Sequence, residues 1–333
     1  MDSISDPRLA AFIALQVEIS AKQNLSQDIR QKTRLTCCIS ASISLVFVVL
    51  RFWARFRRAF GYGNDDWIIA VSFIFLLGNL GCVLALIENG VGLHSGALTL
   101  SHMTAIAKIL VLNECLYVTN INLIKLSVLA MYYRFFPLRQ MRKYGLIIAW
   151  ISITWNLSLI LLALLQCTPF KKTYEPWVEG RCIDLKATFL GISVPSIMTD
   201  IAILSLPLPH VWKLQTKIWQ KISLTAIFML GSFVVFASIF RFIIYMRYEP
   251  NDFSYTGAPG LSWNMIELSS SIVSACLPTL GPFMRKFFKK IGLSTSSGAN
   301  IQTKSGNKIE EANSRNYHTT SSENINSKEV AYS

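Results

Sequence analysis

The chain has 333 residues, 52% of them hydrophobic and only 15% charged, well under the roughly 25% charged residues of soluble domains. Its formal net charge is +13 and its mean hydropathy +0.41. That balance excludes an ordinary soluble domain. The basic residues lie in short loops beside long apolar stretches, which argues against nucleic acid and for a lipid bilayer as partner.

In chain order, Leu9–Ile19 is apolar but broken by Gln16 and Glu18, and no good cleavage site follows. It reads as a short amphipathic helix on the outer surface rather than as a signal peptide. The sequon Asn24-Leu25-Ser26 comes next, a glycosylation site if that segment is extracellular. Seven apolar stretches then succeed one another: Leu35–Arg55, Trp67–Glu88, Thr104–Tyr133, Tyr144–Cys167, Leu185–Pro209, Lys221–Met246 and Leu261–Met284. A helix needs about 20 mostly apolar residues to cross hydrocarbon, and the last stretch meets this if Glu267 faces protein. The expected fold is all-α, a seven-transmembrane helix bundle over residues 35–288. Residues 1–34 form an extracellular N-terminal segment, and 289–333 a polar, disordered cytosolic tail.

Orientation follows from charge. Arg51, Arg55, Arg57 and Arg58 close the first stretch, and Arg134, Arg139, Arg142 and Lys143 follow the third. Lys213, Lys217 and Lys221 follow the fifth, and Arg285, Lys286, Lys289 and Lys290 follow the seventh. The loop Asn89–Met103 has no Lys or Arg. Basic loops stay in the cytosol, which places the N-terminus outside and the C-terminus in the cytosol, with the plasma membrane as expected location. Lys22, Arg30, Lys32 and Arg34 pull the other way and are outvoted.

Of seven cysteines, Cys37, Cys38, Cys82, Cys115 and Cys276 lie within the stretches, where thiols behave as small apolar groups. Cys167 and Cys182 bracket the loop between the fourth and fifth stretches. A disulfide there would close a short loop, worth about 3 kcal/mol on a chain-entropy estimate; two unpaired thiols are the alternative.

Ionisable residues inside a membrane are expensive and seek partners in the bundle interior. Chain direction puts Glu114, Arg241 and Glu267 in one outer layer, and Lys125 with Asp200 in a layer nearer the cytosol. The outer layer reads either as a polar ligand or ion site, with a switch pair below it, or both layers only fix helix packing. Pro195 should kink the fifth span just before Asp200. In Gly61-Tyr62-Gly63-Asn64-Asp65-Asp66-Trp67 the two acids fit a helix N-terminus and face the arginines upstream, a structural role. His94 and His102 share an outer loop but lack further ligands, so neither a metal nor a catalytic site is expected.

Several strings taken together extend these readings. They are Arg51-Phe52-Trp53-Ala54-Arg55, Asp65-Asp66-Trp67, Gly90-Val91-Gly92-Leu93-His94, Glu114-Cys115-Leu116-Tyr117 and Lys125-Leu126-Ser127. Others are Gln166-Cys167-Thr168-Pro169, Gly180-Arg181-Cys182, the run from Asp200 to Pro209, Ser238-Ile239-Phe240-Arg241, and Ala275-Cys276-Leu277-Pro278. In this order over 35–282 the chain resembles the fungal rhodopsin-like integral membrane protein family (satratoxin-cluster SAT type, related to Pth-type receptor-like proteins). The resemblance implies a seven-helix fungal membrane protein. Some relatives are regarded as surface-sensing receptors, while others accompany secondary-metabolite gene clusters. Retinal is not an expected cofactor, because Leu261–Met284 has no lysine for a Schiff base, and Lys125 is in the wrong helix.

Three functions compete. A receptor-like sensor would use the outer layer as pocket for a small-molecule ligand, the kinked fifth helix as moving element, and the basic loops and tail as contact for a cytosolic signalling partner. A membrane protein tied to secondary-metabolite biosynthesis or transport is the alternative, although no internal repeat points to a transporter. An enzyme would want clustered histidines and acids, and with four His this is the weakest reading.

Overall fold

A computed structural model describes residues 7–23, 26–57, 63–135, 139–175, 177–207 and 218–290. Of the two units into which the chain divides, residues 1–283 hold the helix bundle, and of 284–333 only the end of the last helix is described. Asn24, Arg58, the stretch 208–217 and the tail from 291 onward lie outside the described residues.

The fold is all-α. Its helices are α1 (Pro7–Lys22), α2 (Arg30–Phe56), α3 (Asn64–Glu88), α4 (Leu100–Phe135), α5 (Arg139–Leu164), α6 (Leu185–Ser205), α7 (Ile218–Met246) and α8 (Phe253–Lys290). Strands β1 (Cys167–Thr168) and β2 (Arg181–Cys182) pair antiparallel between α5 and α6.

Among the described residues, five helical segments are long and apolar enough to cross a membrane: Arg30–Phe56, Asn64–Glu88, Leu100–Arg134, Arg139–Leu164 and Phe228–Met246. In α6 the apolar run is shorter, Gly191–Ser205. In α8 the apolar signal is diluted by Ser254, Asn264, Glu267, Ser269, Ser271 and Thr279, all buried. The outward faces are apolar: Ile39, Val46, Ile74, Trp150, Leu157, Met198 and Met229 are each more than half exposed. A chain with greasy residues outside and carboxylates, guanidinium groups and amides inside is built for lipid, since contiguous apolar surface of this extent has no place in water.

Five hydroxyls within the spans are satisfied locally. Ser40, Ser42, Thr104, Thr119 and Ser158 each donate to the carbonyl four residues earlier, so these polar residues leave no unmet donor in lipid. The main core gathers Cys37, Ala41 and Val48 of α2, Ile69, Leu76 and Val83 of α3, Ile106, Val118 and Ile124 of α4, and Met265, Leu268 and Ile272 of α8.

Several helices start ahead of their apolar stretches. α2 begins at Arg30, five residues before Leu35, and beside its start Asp28 accepts from the Arg30 amide at 2.8 Å and from its guanidinium. Those bonds hold the Asp28 carboxyl below its ordinary value. The last helix begins at Phe253 rather than Leu261, although Gly257, Pro259 and Gly260 read as a loop. Ser254 and Ala258 are buried, and Ser254 Oγ donates to the Gly90 carbonyl at 3.1 Å; tertiary packing overrides local propensity here.

Candidate functional site

Helical spacing sets the centre of the bundle. Glu114 and Tyr117 share a face of α4, Arg241 and Tyr245 a face of α7, and Asn264 and Glu267 a face of α8, since residues three or four apart project together. Glu267 is fully buried. Its Oε2 accepts from the Tyr117 hydroxyl at 2.7 Å and pairs with Arg241 Nη1 at 3.2 Å, while its Oε1 accepts from Ser238 Oγ at 2.5 Å. Arg241 also donates to the Tyr117 oxygen, and its guanidinium lies 4.8 Å from the centre of that ring. Three helices are thus joined through one carboxylate.

Beside this network opens a cavity of about 250 Å³, walled by α4, α6, α7 and α8 and by the residues next to them. Leu110, Val111, Ile192 and Leu261 supply apolar surface, while Asn113, Glu114, Arg241, Tyr245 and Asn264 supply polar groups. Asn264 and Tyr245 hydrogen-bond each other at 3.1 Å. Tyr248, just past α7, also lines the cavity; burial, with Tyr245 nearby, pushes its phenol up to about 12, so it remains a neutral hydroxyl. Thr173 comes from the loop closed by the Cys167–Cys182 disulfide, whose half-cystines are 15 residues apart, and Gln166 from the position just before it.

Of the residues singled out from sequence, Arg241 and Glu267 meet directly, and Glu114 lines the same cavity without joining them. Glu114 has no hydrogen-bond or ion-pair partner among the described residues. Lys125 and Asp200 form a second pair at 3.0 Å, both largely buried. Lys125 Nζ also donates to the Ser196 carbonyl and hydroxyl at 3.1 Å and to Thr199 Oγ1 at 2.8 Å. These contacts all fall in the turn after Pro195, inside α6. Among the described residues no group of three or more His, Cys, Asp or Glu side chains is placed to hold a metal.

Sequence reasoning missed two groups. The first is the hydroxyl pair Tyr117 and Ser238, which look like core residues in an apolar run. The second is an ion cluster where α2, α3, α4 and α8 meet. Arg51, fully buried, pairs with Asp66 at 2.8 Å and Asp65 at 2.6 Å, and donates to the Ala275 carbonyl at 2.6 Å. Arg55 reaches the same two acids at 2.9 and 3.2 Å, and Arg134 reaches Asp65 at 3.3 Å. Asp66 also caps α3 by accepting from the Gly63 amide at 3.0 Å. The acids do face the upstream arginines, but Arg51 is no loop charge; it is the centre of a buried network.

At the opposite end of α3, His94 Nδ1 lies 2.6 Å from Asp252 Oδ2, and its ring stacks on Tyr255 with centroids 4.2 Å apart. The Ser95 amide donates to Asp252 Oδ1 at 2.9 Å. His94 therefore ties the α3–α4 loop to the turn before α8.

Residues 50–286 match the family model described as the fungal rhodopsin domain. The chain belongs to this family of multi-pass membrane proteins. It is similar to a SAT4 family membrane protein of Emericella nidulans, 31% identical over 61% of this chain and 52% of that protein. It is also similar to the satratoxin biosynthesis SC1 cluster protein 4 of Stachybotrys chartarum, 26% identical over 54% of this chain and 65% of that one. A third relative is the receptor GIN3 of Arthrobotrys oligospora, 25% identical over 80% of this chain and 67% of that one. The chain spans only about half to two thirds of the length of these curated relatives. No solved structure matches it.

Proposed function

We propose that this protein is a receptor-like sensor of a fungal plasma membrane, crossing the bilayer seven times with its N-terminus outside and its C-terminus in the cytosol. The observation that carries the reading is the cavity of about 250 Å³ beside the Tyr117–Arg241–Glu267 network. It joins an apolar wall to a few convergent polar groups, the usual make-up of a small-molecule site. A ligand there would touch α4, α6, α7 and α8 together, and α4 carries the Lys125 contact to the turn after Pro195 below it. A small molecule and a cytosolic partner are the expected contacts; neither catalysis nor retinal enters the reading. The similarity to a protein named as a receptor supports it.

A second reading has its own support. A relative is named for a satratoxin biosynthesis cluster, which favours a membrane role beside secondary metabolism, in export or in sensing a pathway compound. Deleting the gene and profiling surface responses beside secreted and retained metabolites separates the two. A lost response with unchanged metabolites is expected. Intracellular build-up of one compound with responses intact overturns the sensor reading.

A further inference from the structure

The cavity wall contains a carboxylate that the fold does not use. Glu114 lines it with no hydrogen-bond or ion-pair partner among the described residues. Its neighbour Asn113 lines it too, is only 4% exposed, and has a side-chain oxygen with no hydrogen-bond partner. Both are acceptors. The arginine in the wall, Arg241, is already matched by Glu267 at 3.2 Å. Lys108, on the same helix as Glu114, lies with its ammonium 4.8 Å from the Tyr174 ring centre and is not part of the wall. The wall therefore carries an unmatched carboxylate and the unmet Asn113 oxygen, next to the aromatic rings of Tyr245, Tyr248 and Phe253. Arg241 Nε and Thr173 Oγ1 are also without a partner there, but the Arg241 charge is balanced by Glu267 and the Thr173 hydroxyl is neutral.

A buried acceptor and a half-buried carboxylate are costly unless matched. A protonated amine supplies up to three N–H donors and one positive charge in one small group, and aromatic faces attract the same cation. We infer that the cavity binds a small organic cation, a primary amine on an apolar body, with its ammonium seated on the Glu114 carboxylate and the Asn113 side-chain oxygen. Size points the same way: at about 250 Å³ the space falls just under the usual range for ligand pockets, roughly 300–1,000 Å³. It suits a single ring or short chain rather than a peptide. This inference rests on the cavity being the sensor's ligand site.

The test uses the full chain in lipid nanodiscs and three matched sets of probes: butylamine and phenethylamine, the corresponding alcohols, and the corresponding carboxylates. Thermal melting is read against probe concentration. At least one amine should raise the melting temperature saturably while its alcohol and carboxylate do not. Glu114→Gln should weaken that amine by about tenfold or more, the usual worth of one charge-assisted contact. Without probe, Glu114→Gln should melt at or above the wild-type temperature, because no partner is lost.

A carboxylate that outperforms its amine would assign the ligand to Arg241 and overturn the inference. So would no amine outperforming its alcohol, or an amine shift that survives Glu114→Gln. A ligand-free loss of stability in Glu114→Gln as large as that of Glu267→Gln would make Glu114 structural and also overturn it. If Glu114→Gln does not fold, Glu114→Asp takes its place, with weaker amine binding expected and the preference over alcohol kept. The two readings fail separately. Amine binding without any cellular response sinks the sensor but not the ligand class, whereas cells that still respond with Glu114→Gln sink the ligand class but not the sensor.

Discussion

Glu267 is fully buried and holds three partners on two oxygens, from α4 and α7. Arg241→Ala or Glu267→Gln leaves the opposite charge buried alone, a loss of about 3–5 kcal/mol. Melting in nanodiscs should show the double variant Arg241→Ala/Glu267→Gln losing far less stability than the two single losses added together, and that coupling is the measurement. Tyr117→Phe removes only the hydroxyl between the two charges and should cost about 1–3 kcal/mol. At this scale the sequence is legible where it is unusual. A lone arginine or glutamate in an apolar run usually has a partner in the bundle, which brings out Arg241, Glu267, Lys125 and Asp200, Glu114 being the exception among the described residues. Tyr117 and Ser238 are not legible, because tyrosine and serine are ordinary in such runs and only the fold reveals what they bond.

Among the elements, the connection between α3 and α4 turns on a glycine with little room for a side chain. Gly92 has φ +105°, and a Cβ there would lie 2.9 Å from Arg30 Cγ and 3.1 Å from the Arg30 nitrogen. Its amide donates to the Ser254 carbonyl at 3.1 Å, and its carbonyl accepts from the Ile29 amide at 3.2 Å. The starts of α2 and α8 thus close on one glycine. Gly92→Ala should cost about 1–3 kcal/mol from backbone strain alone, read as a lower melting temperature; an unchanged value would contradict this geometry. At the other end of α3, Arg51→Lys keeps the charge but loses the planar fork that reaches Asp65, Asp66 and Ala275 together. It should be nearly as destabilising as Arg51→Ala in the same melt. Helix positions are well marked by hydropathy, but Arg51 at the end of a span looks like a topology signal. Only the return of α3 and α8 beside it makes it a buried hub. The start of α8 at Phe253 is hidden for a related reason: its stability comes from what it packs on, not from its own residues.

At the scale of the molecule, the proposed orientation predicts that a tag at the N-terminus of intact cells is reached by antibody while a C-terminal tag is reached only after permeabilisation. The reverse pattern, or both ends on one side, would overturn the proposed topology. The Cys167–Cys182 bridge closes a loop of 15 residues, and replacing both cysteines by serine should cost about 3 kcal/mol, measured against wild type in the same melt. That loop also makes part of the cavity wall through Thr173, with Gln166 just before its first cysteine. On its other side it meets α1: Phe12 lies against Trp177 with ring centroids 6.0 Å apart, and Arg8 pairs with Glu179. The chamber therefore has a stapled rim that a helix rests on. A mild reductant should alter small-molecule uptake into it before the helices themselves let go, which makes the bridge a latch on the chamber's shape.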